Sequence, residues 1–124
     1  MSGTTVVLAA HGSRLADANA AHAALSGRVA GALGLPVLPG FLELAEPSVA
    51  DAIDAAVGDG AERVLVLPYF LHPGNHTAHD IPAIVDAARA RHTRVTIELL
   101  ALFGGDGRLS DLVADQVRAI DGVA

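Results

Sequence analysis

A parallel α/β fold is predicted from three observations: apolar, β-branched runs too continuous for half-exposed strands, amphipathic segments between them, and short connections marked by Gly or Pro. The order is β-α four times over, which calls for right-handed crossovers and helices on both faces of the sheet. Thr4 to Ala10 (TTVVLAA) reads as a buried first strand and stops at His11-Gly12. From Ala16 to Leu33, Leu25, Val29 and Leu33 share one helical stripe, and Gly34 ends it. Pro36 to Leu44 (PVLPGFLEL) reads as the second strand. Its Pro39 and Gly40 suit an edge position or a bulge, and alternation sends Glu43 to the face opposite Leu42 and Leu44. Pro47 fits a first helical position, with Val49, Ala52, Ile53, Ala56 and Val57 at helical spacing until Gly58 and Gly60. Arg63 to Leu71 (RVLVLPYFL) is the third strand. Asp80 is the expected N-cap of a third helix with the apolar face Ile81, Ile84, Val85 and Ala88. Val95 to Phe103 is the fourth strand, and Asp106 caps a last helix whose Leu109, Leu112, Val113, Val117 and Ile120 form an apolar face.

The 124 residues fit one domain, 1–124, near the lower end for an enzyme that must enclose a substrate, so a homo-oligomer is expected. Although 52% of residues are hydrophobic, no run approaches the roughly 18 apolar residues of a membrane helix. Met1 to Thr5 lacks the regions of a signal peptide, and the expectation is a soluble, cytoplasmic protein. With no cysteine there is no disulfide, thiolate nucleophile or cysteine-type zinc site. Any metal must be held by His and carboxylate, a set that suits hard or borderline divalent ions. The net charge of −6, with eight arginines and no lysine, argues against nucleic acid.

In open α/β sheets the ligand crevice lies outside the carboxyl ends of the strands. There the sequence puts His11, Gly12, Ser13 and Arg14 after strand one, Glu43 and Glu46 after strand two, and His72, His76 and His79 after strand three. Only His22 and His92 of the six histidines lie elsewhere. His11 either stands at the crevice or is satisfied by a backbone group at a turn. Ser13 and Arg14 either bind an anion beside the following helix or are a turn serine and a solvated arginine. Glu46, just before Pro47, has an explanation as a helix-start residue, which favours Glu43 for function. His76, beside Gly74-Asn75, is read as a loop residue and His79 as an exposed first-turn neighbour of Asp80. Two histidines and one carboxylate from three strand ends would hold a divalent ion loosely, in a facial set with open positions. No GxSxG elbow, HExxH, Walker loop or dinucleotide fingerprint is present.

The first strand running into HGSR, then GFLELAEPSV, then VLVLPYFLHPGNHTAHDIP, together resemble the small CbiX/SirB-type sirohydrochlorin chelatases, over roughly residues 4 to 86. The resemblance implies a flavodoxin-like three-layer αβα sandwich on a four-stranded parallel sheet, and insertion of Co²⁺ or Fe²⁺ into the tetrapyrrole sirohydrochlorin. It also implies His11, Glu43 and His76 at the metal and insertion site, the metal being a substrate and no nucleotide or cofactor staying bound. Many members carry two such domains in one chain, whereas this length is similar to the short form that works as a homodimer. His72 and His79 match no fixed position of the family. The rival expectation is a metal-binding or metal-delivery domain of the same fold that performs no insertion.

Overall fold

The first apolar run takes the centre of the sheet. In the computed structural model, which describes residues 3–120 and 122, with only the backbone described at His76, Thr4–Ala10 forms β1. It pairs in parallel with β2 (Val37–Phe41) on one side and β3 (Arg63–Pro68) on the other, and β4 (Thr96–Leu99) adds beyond β3. The order β2-β1-β3-β4 is the doubly wound arrangement whose strand order reverses beside β1. This four-stranded parallel α/β sheet is the predicted fold. The first helix, α1 (Ala16–Leu33), has the predicted bounds and ends on Gly34 at φ 69°, where the absence of a Cβ makes the left-handed turn inexpensive.

Alternation along the strands divides the core in two. Val7, Ala9, Val64, Val66 and Ile97 point to the face covered by α2 (Val49–Gly58) and α3 (Ile81–Arg91), where Ile53, Ile81 and Val85 are fully buried. Each of these side chains contributes about 1.5–3 kcal/mol by leaving water. Gly40 lets α2 approach β2, since a Cβ there would lie 3.0 Å from the Val49 Cα. On the other face Val6, Leu8 and Val37 pack under α1 with Leu25 and Val29. Leu33, expected on the same stripe, is exposed; His22 and Ser26 take the buried positions instead. His22 is satisfied there, with its Nε2 2.9 Å from the Leu8 carbonyl and its ring against Phe41 and Tyr69.

Several element boundaries differ from the sequence reading. β2 stops at Phe41 instead of Leu44, because the chain leaves the sheet and returns only at Ser48, where the Phe41 N–H donates to the Pro47 carbonyl (2.9 Å). Pro47 does not open α2. Ser48 is the N-cap, accepting from the Asp51 N–H at 3.0 Å, since its hydroxyl satisfies an amide that proline cannot. β3 ends at Pro68, and β4 ends at Leu99 before a short 3₁₀ turn, Phe103–Gly105. Asp80 stands at the N-cap position of α3, as expected, but its side chain makes no capping bond there: its backbone is already helical (φ −70°, ψ −48°), because a π-helical turn, His76–Asp80, runs directly into α3. The N-cap position of α4 (Arg108–Arg118) falls on Gly107 and not on Asp106, although the Asp106 side chain, one residue earlier, accepts from the Arg108 N–H at 2.9 Å. Among the described residues no helix is long and apolar enough to cross a membrane.

Candidate functional site at the carboxyl edge

β1 delivers His11 to the carboxyl edge of the sheet, and the loop after β2 brings Glu43 to it. The Glu43 N–H donates to the His11 carbonyl (3.0 Å) and the Leu42 N–H to the Ala10 carbonyl (2.9 Å), so the loop stays stitched to β1 past the end of β2. The side chains then meet, His11 Nε2 lying 2.6 Å from Glu43 Oε1. Both remain about half exposed, at 43% and 53%, which leaves the pair open to a ligand from solvent. Glu43 is therefore a loop residue placed by backbone bonds; the strand alternation expected for it does not apply.

Gly12 permits this closeness. Its φ is 97°, and a Cβ would fall 1.8 Å from the Glu43 carbonyl oxygen, so any other residue would push the two loops apart. The HGSR turn is fixed from α1 by Asn19, whose Oδ1 accepts from the Ser13 N–H (2.9 Å) while its Nδ2 donates to the Ser13 carbonyl (2.7 Å). The Ser13 Oγ accepts from the Leu15 N–H (3.0 Å), and Arg14 is exposed beside it. The sequence reading missed Asn19. The only available signal was an amide side chain one turn inside a helix that follows a tight turn.

Across from Glu43, the π-helical turn presents Asp80. Leu42, Glu43, Asp80, Ala83 and Ile84 line a recess of about 420 Å³ with a carboxylate on each side. Thr77 ties the entry of this turn, its Oγ accepting from the Gly74 N–H (2.8 Å) and donating to the Gly74 carbonyl (3.0 Å). π-Helical turns inside helices occur frequently at functional sites. His76 opens the turn and so is helical, contrary to the loop expected from Gly74-Asn75; its side chain lies outside the described residues. His72 and His79 are exposed, as is Glu46. Among the described residues no three His, Asp or Glu side chains are gathered to hold a metal ion. The pair His11–Glu43 is what the structure brings together of the expected facial set.

A parallel α/β protein with an imidazole–carboxylate pair at the carboxyl edge of its central strand is thus defined by fold and site. The model of the CbiX family matches residues 5–120, and the chain belongs to that family. It is 33% identical over 91% of its length to the chloroplastic sirohydrochlorin ferrochelatase of Arabidopsis thaliana, of which it spans 51%. To the sirohydrochlorin cobaltochelatase of Methanothermobacter thermautotrophicus it is 29% identical over 92% of its length, spanning 90% of that protein. Among solved structures it is similar to the sirohydrochlorin chelatase SirB of Bacillus subtilis subspecies spizizenii in complex with cobalt, with a TM-score of 0.83 and 29% identity. That match covers 94% of this chain and 50% of SirB. The chain therefore spans about half the length of some relatives and nearly all of another.

Proposed function

We propose that this chain inserts a divalent ion, Co²⁺ or Fe²⁺, into sirohydrochlorin, two copies together enclosing the macrocycle. His11 and His76 serve as metal ligands and proton acceptors, and Glu43 assists. The observation that carries the reading is the 2.6 Å contact between His11 and Glu43 at the carboxyl edge, in a chain whose relatives include enzymes named for both metals.

Insertion exchanges two N–H bonds of the macrocycle for bonds to the metal, so one M²⁺ enters and two protons must leave. An imidazole nitrogen can perform both tasks in turn, holding the ion through its lone pair and then taking a proton on the same nitrogen once the ion has passed to the ring. Glu43 lies where it accepts a hydrogen bond from that protonated nitrogen and offsets its charge. The second proton goes to His76. Few protein ligands and an exposed site keep the ion loosely held, and the four-nitrogen chelate supplies the driving force. Arg14 is free to meet a ring carboxylate, and Ser13 keeps its O–H as a donor while its oxygen accepts from Leu15. The ion is consumed with each turnover, so no resident cofactor is required.

The test is purified protein with sirohydrochlorin and each of Co²⁺, Fe²⁺ and Ni²⁺, followed by the absorbance of the tetrapyrrole. Insertion well above the spontaneous rate is expected, with loss in His11→Ala and His76→Ala. A rate equal to background in every metal would overturn the reading. Metal binding without insertion would leave a delivery domain.

A further inference from the structure

Three large apolar side chains stand in water on the loops that frame the His11–Glu43 pair. Leu15 follows β1, Leu44 follows β2 and Leu71 follows β3, and they are 63%, 54% and 61% exposed. Leu44 directly adjoins Glu43 in the chain, and Leu15 comes four residues after His11.

Two of the three are placed against local preference. Leu44 has φ 66°, in the left-handed region, where a Cβ crowds the backbone and glycine is the residue that fits without cost. It is the only residue other than glycine with a positive φ among the described residues. Leu15 holds the N-cap position of α1 and makes no side-chain bond to the first turn, where serine, aspartate or asparagine would satisfy an amide. Neither leucine recovers its cost by burial. A local cost with no return in the fold points to a residue kept for what it meets.

Each leucine is also carried on a fixed backbone. Asn19 clasps the Ser13 N–H and carbonyl ahead of Leu15, and the Glu43 N–H donates to the His11 carbonyl just before Leu44. Beside Leu71 the Gly104 N–H donates to the Phe70 carbonyl (2.8 Å), and the contact is so close that a Cβ on Gly104 would lie 1.7 Å from the Leu71 carbonyl oxygen. Apolar groups presented on fixed loops lose little freedom when a ligand covers them, which favours affinity.

We infer that Leu15, Leu44 and Leu71 are specificity-determining residues that seat the flat face of the tetrapyrrole, selecting a planar macrocycle. The inference rests on the insertion proposed above. An ion passes from His11 to the ring only if the ring lies over that nitrogen, and a macrocycle centred there reaches past the adjoining loops on every side. Its faces are apolar and its carboxylates project from the rim, so leucines suit the face and Arg14 the rim. Charge does not supply the attraction. A net charge of −6 opposes an anionic ring, which leaves the removal of apolar surface from water as the main source of affinity.

The experiment titrates metal-free sirohydrochlorin into the unaltered chain and into Leu15→Ser, Leu44→Gly and Leu71→Ala, reading the fluorescence of the ring, with Co²⁺ titrations and urea unfolding of the same proteins. Each variant should bind the ring about tenfold more weakly, the scale of uncovering one leucine side chain, and should bind Co²⁺ as before. Leu15→Ser and Leu44→Gly should unfold at no lower urea concentration than the unaltered chain, since each relieves a local cost; a merely structural role would lower stability together with binding. Ring affinity should hold or rise as salt is added, and a steep fall would mean that arginines hold the ring instead. Unchanged ring affinity in all three variants, with insertion intact, would overturn the inference and leave the proposed function standing. So would a parallel loss of Co²⁺ affinity, because the substitutions would then be disturbing the loops that carry His11 and Glu43. No binding of the ring by the unaltered chain would remove the function and this inference together.

Discussion

Two histidine–carboxylate pairs of equal length, 2.6 Å, occupy different parts of this protein, and their surroundings give them different work. His11–Glu43 joins the loops after β1 and β2 at the carboxyl edge. His92–Asp54 joins the end of α3 to the outer side of α2. At the second pair Arg91 also bonds Asp54, at 2.9 Å, so the carboxylate is held by two partners and His92 is only 20% exposed. Among the described residues no arginine reaches Glu43. A carboxylate saturated by an arginine fastens two helices; one facing a single imidazole and a recess keeps capacity for an incoming cation or proton.

The sharpest way to break this contrast is to delete both imidazoles in turn. His11→Ala should lower the rate of metal insertion by about 10²–10⁴, the range for removing a group that transfers protons. His92→Ala should leave the rate within about twofold while lowering thermal stability. Equal losses of activity in the two variants would mean that the edge pair has no special role. Glu43→Gln, which keeps the shape and a hydrogen-bonding oxygen, should cost less, on the order of tenfold, because the imidazole remains; Asp54→Asn should again be silent in the assay.

Gly12→Ala probes the backbone beneath the edge pair. With φ at 97° and the Glu43 carbonyl 1.8 Å from the new Cβ, the loop carrying Glu43 has to move. A destabilisation of about 1–3 kcal/mol in urea unfolding is expected, together with a drop in insertion rate. Full activity with unchanged stability would show that the spacing of the two loops is not required.

Much of this was legible in the sequence. Val6–Ala10 is apolar without interruption, and the β-branched Thr4 and Thr5 lead into it, because β1 is central and covered on both faces; Gly34 marked the end of α1 through a backbone angle that glycine tolerates. Glu43 was found as a residue but not as a geometry. The excursion from Leu42 to Pro47 is held by backbone bonds to Ala10, His11 and Phe41, and no local pattern of side chains encodes those. The π-helical turn was hidden for a similar reason: Gly74-Asn75 signals a break, while the hydroxyl of Thr77 that starts the helix early is a common residue with many other uses. The apolar period of α4 was correctly seen, but periodicity reports that a face will be covered and says nothing of which surface covers it.

The smallest expected effect is in the pH dependence of stability, and it separates the two pairs without an activity assay. The hydrogen bond from His92 is the main reason that the Asp54 carboxyl sits below its usual value of 3.8; Arg91 adds to the effect and partial burial opposes it. A carboxyl whose folded value is depressed contributes stability that is fully present above the unfolded value, near 3.8, and is lost as pH falls through the folded value beneath it. Asp54→Asn lacks that proton equilibrium. The stability difference between the original chain and Asp54→Asn should therefore hold steady from neutral pH to about 5 and shrink below about 4. Because the Asp54 side chain is 43% exposed, solvent screens the pair and the whole difference should stay within about 1 kcal/mol. Urea titrations of both proteins at matched pH values measure it. A difference that stayed constant into strong acid would show that the Asp54 clasp contributes nothing, and that the second pair is as open as the first.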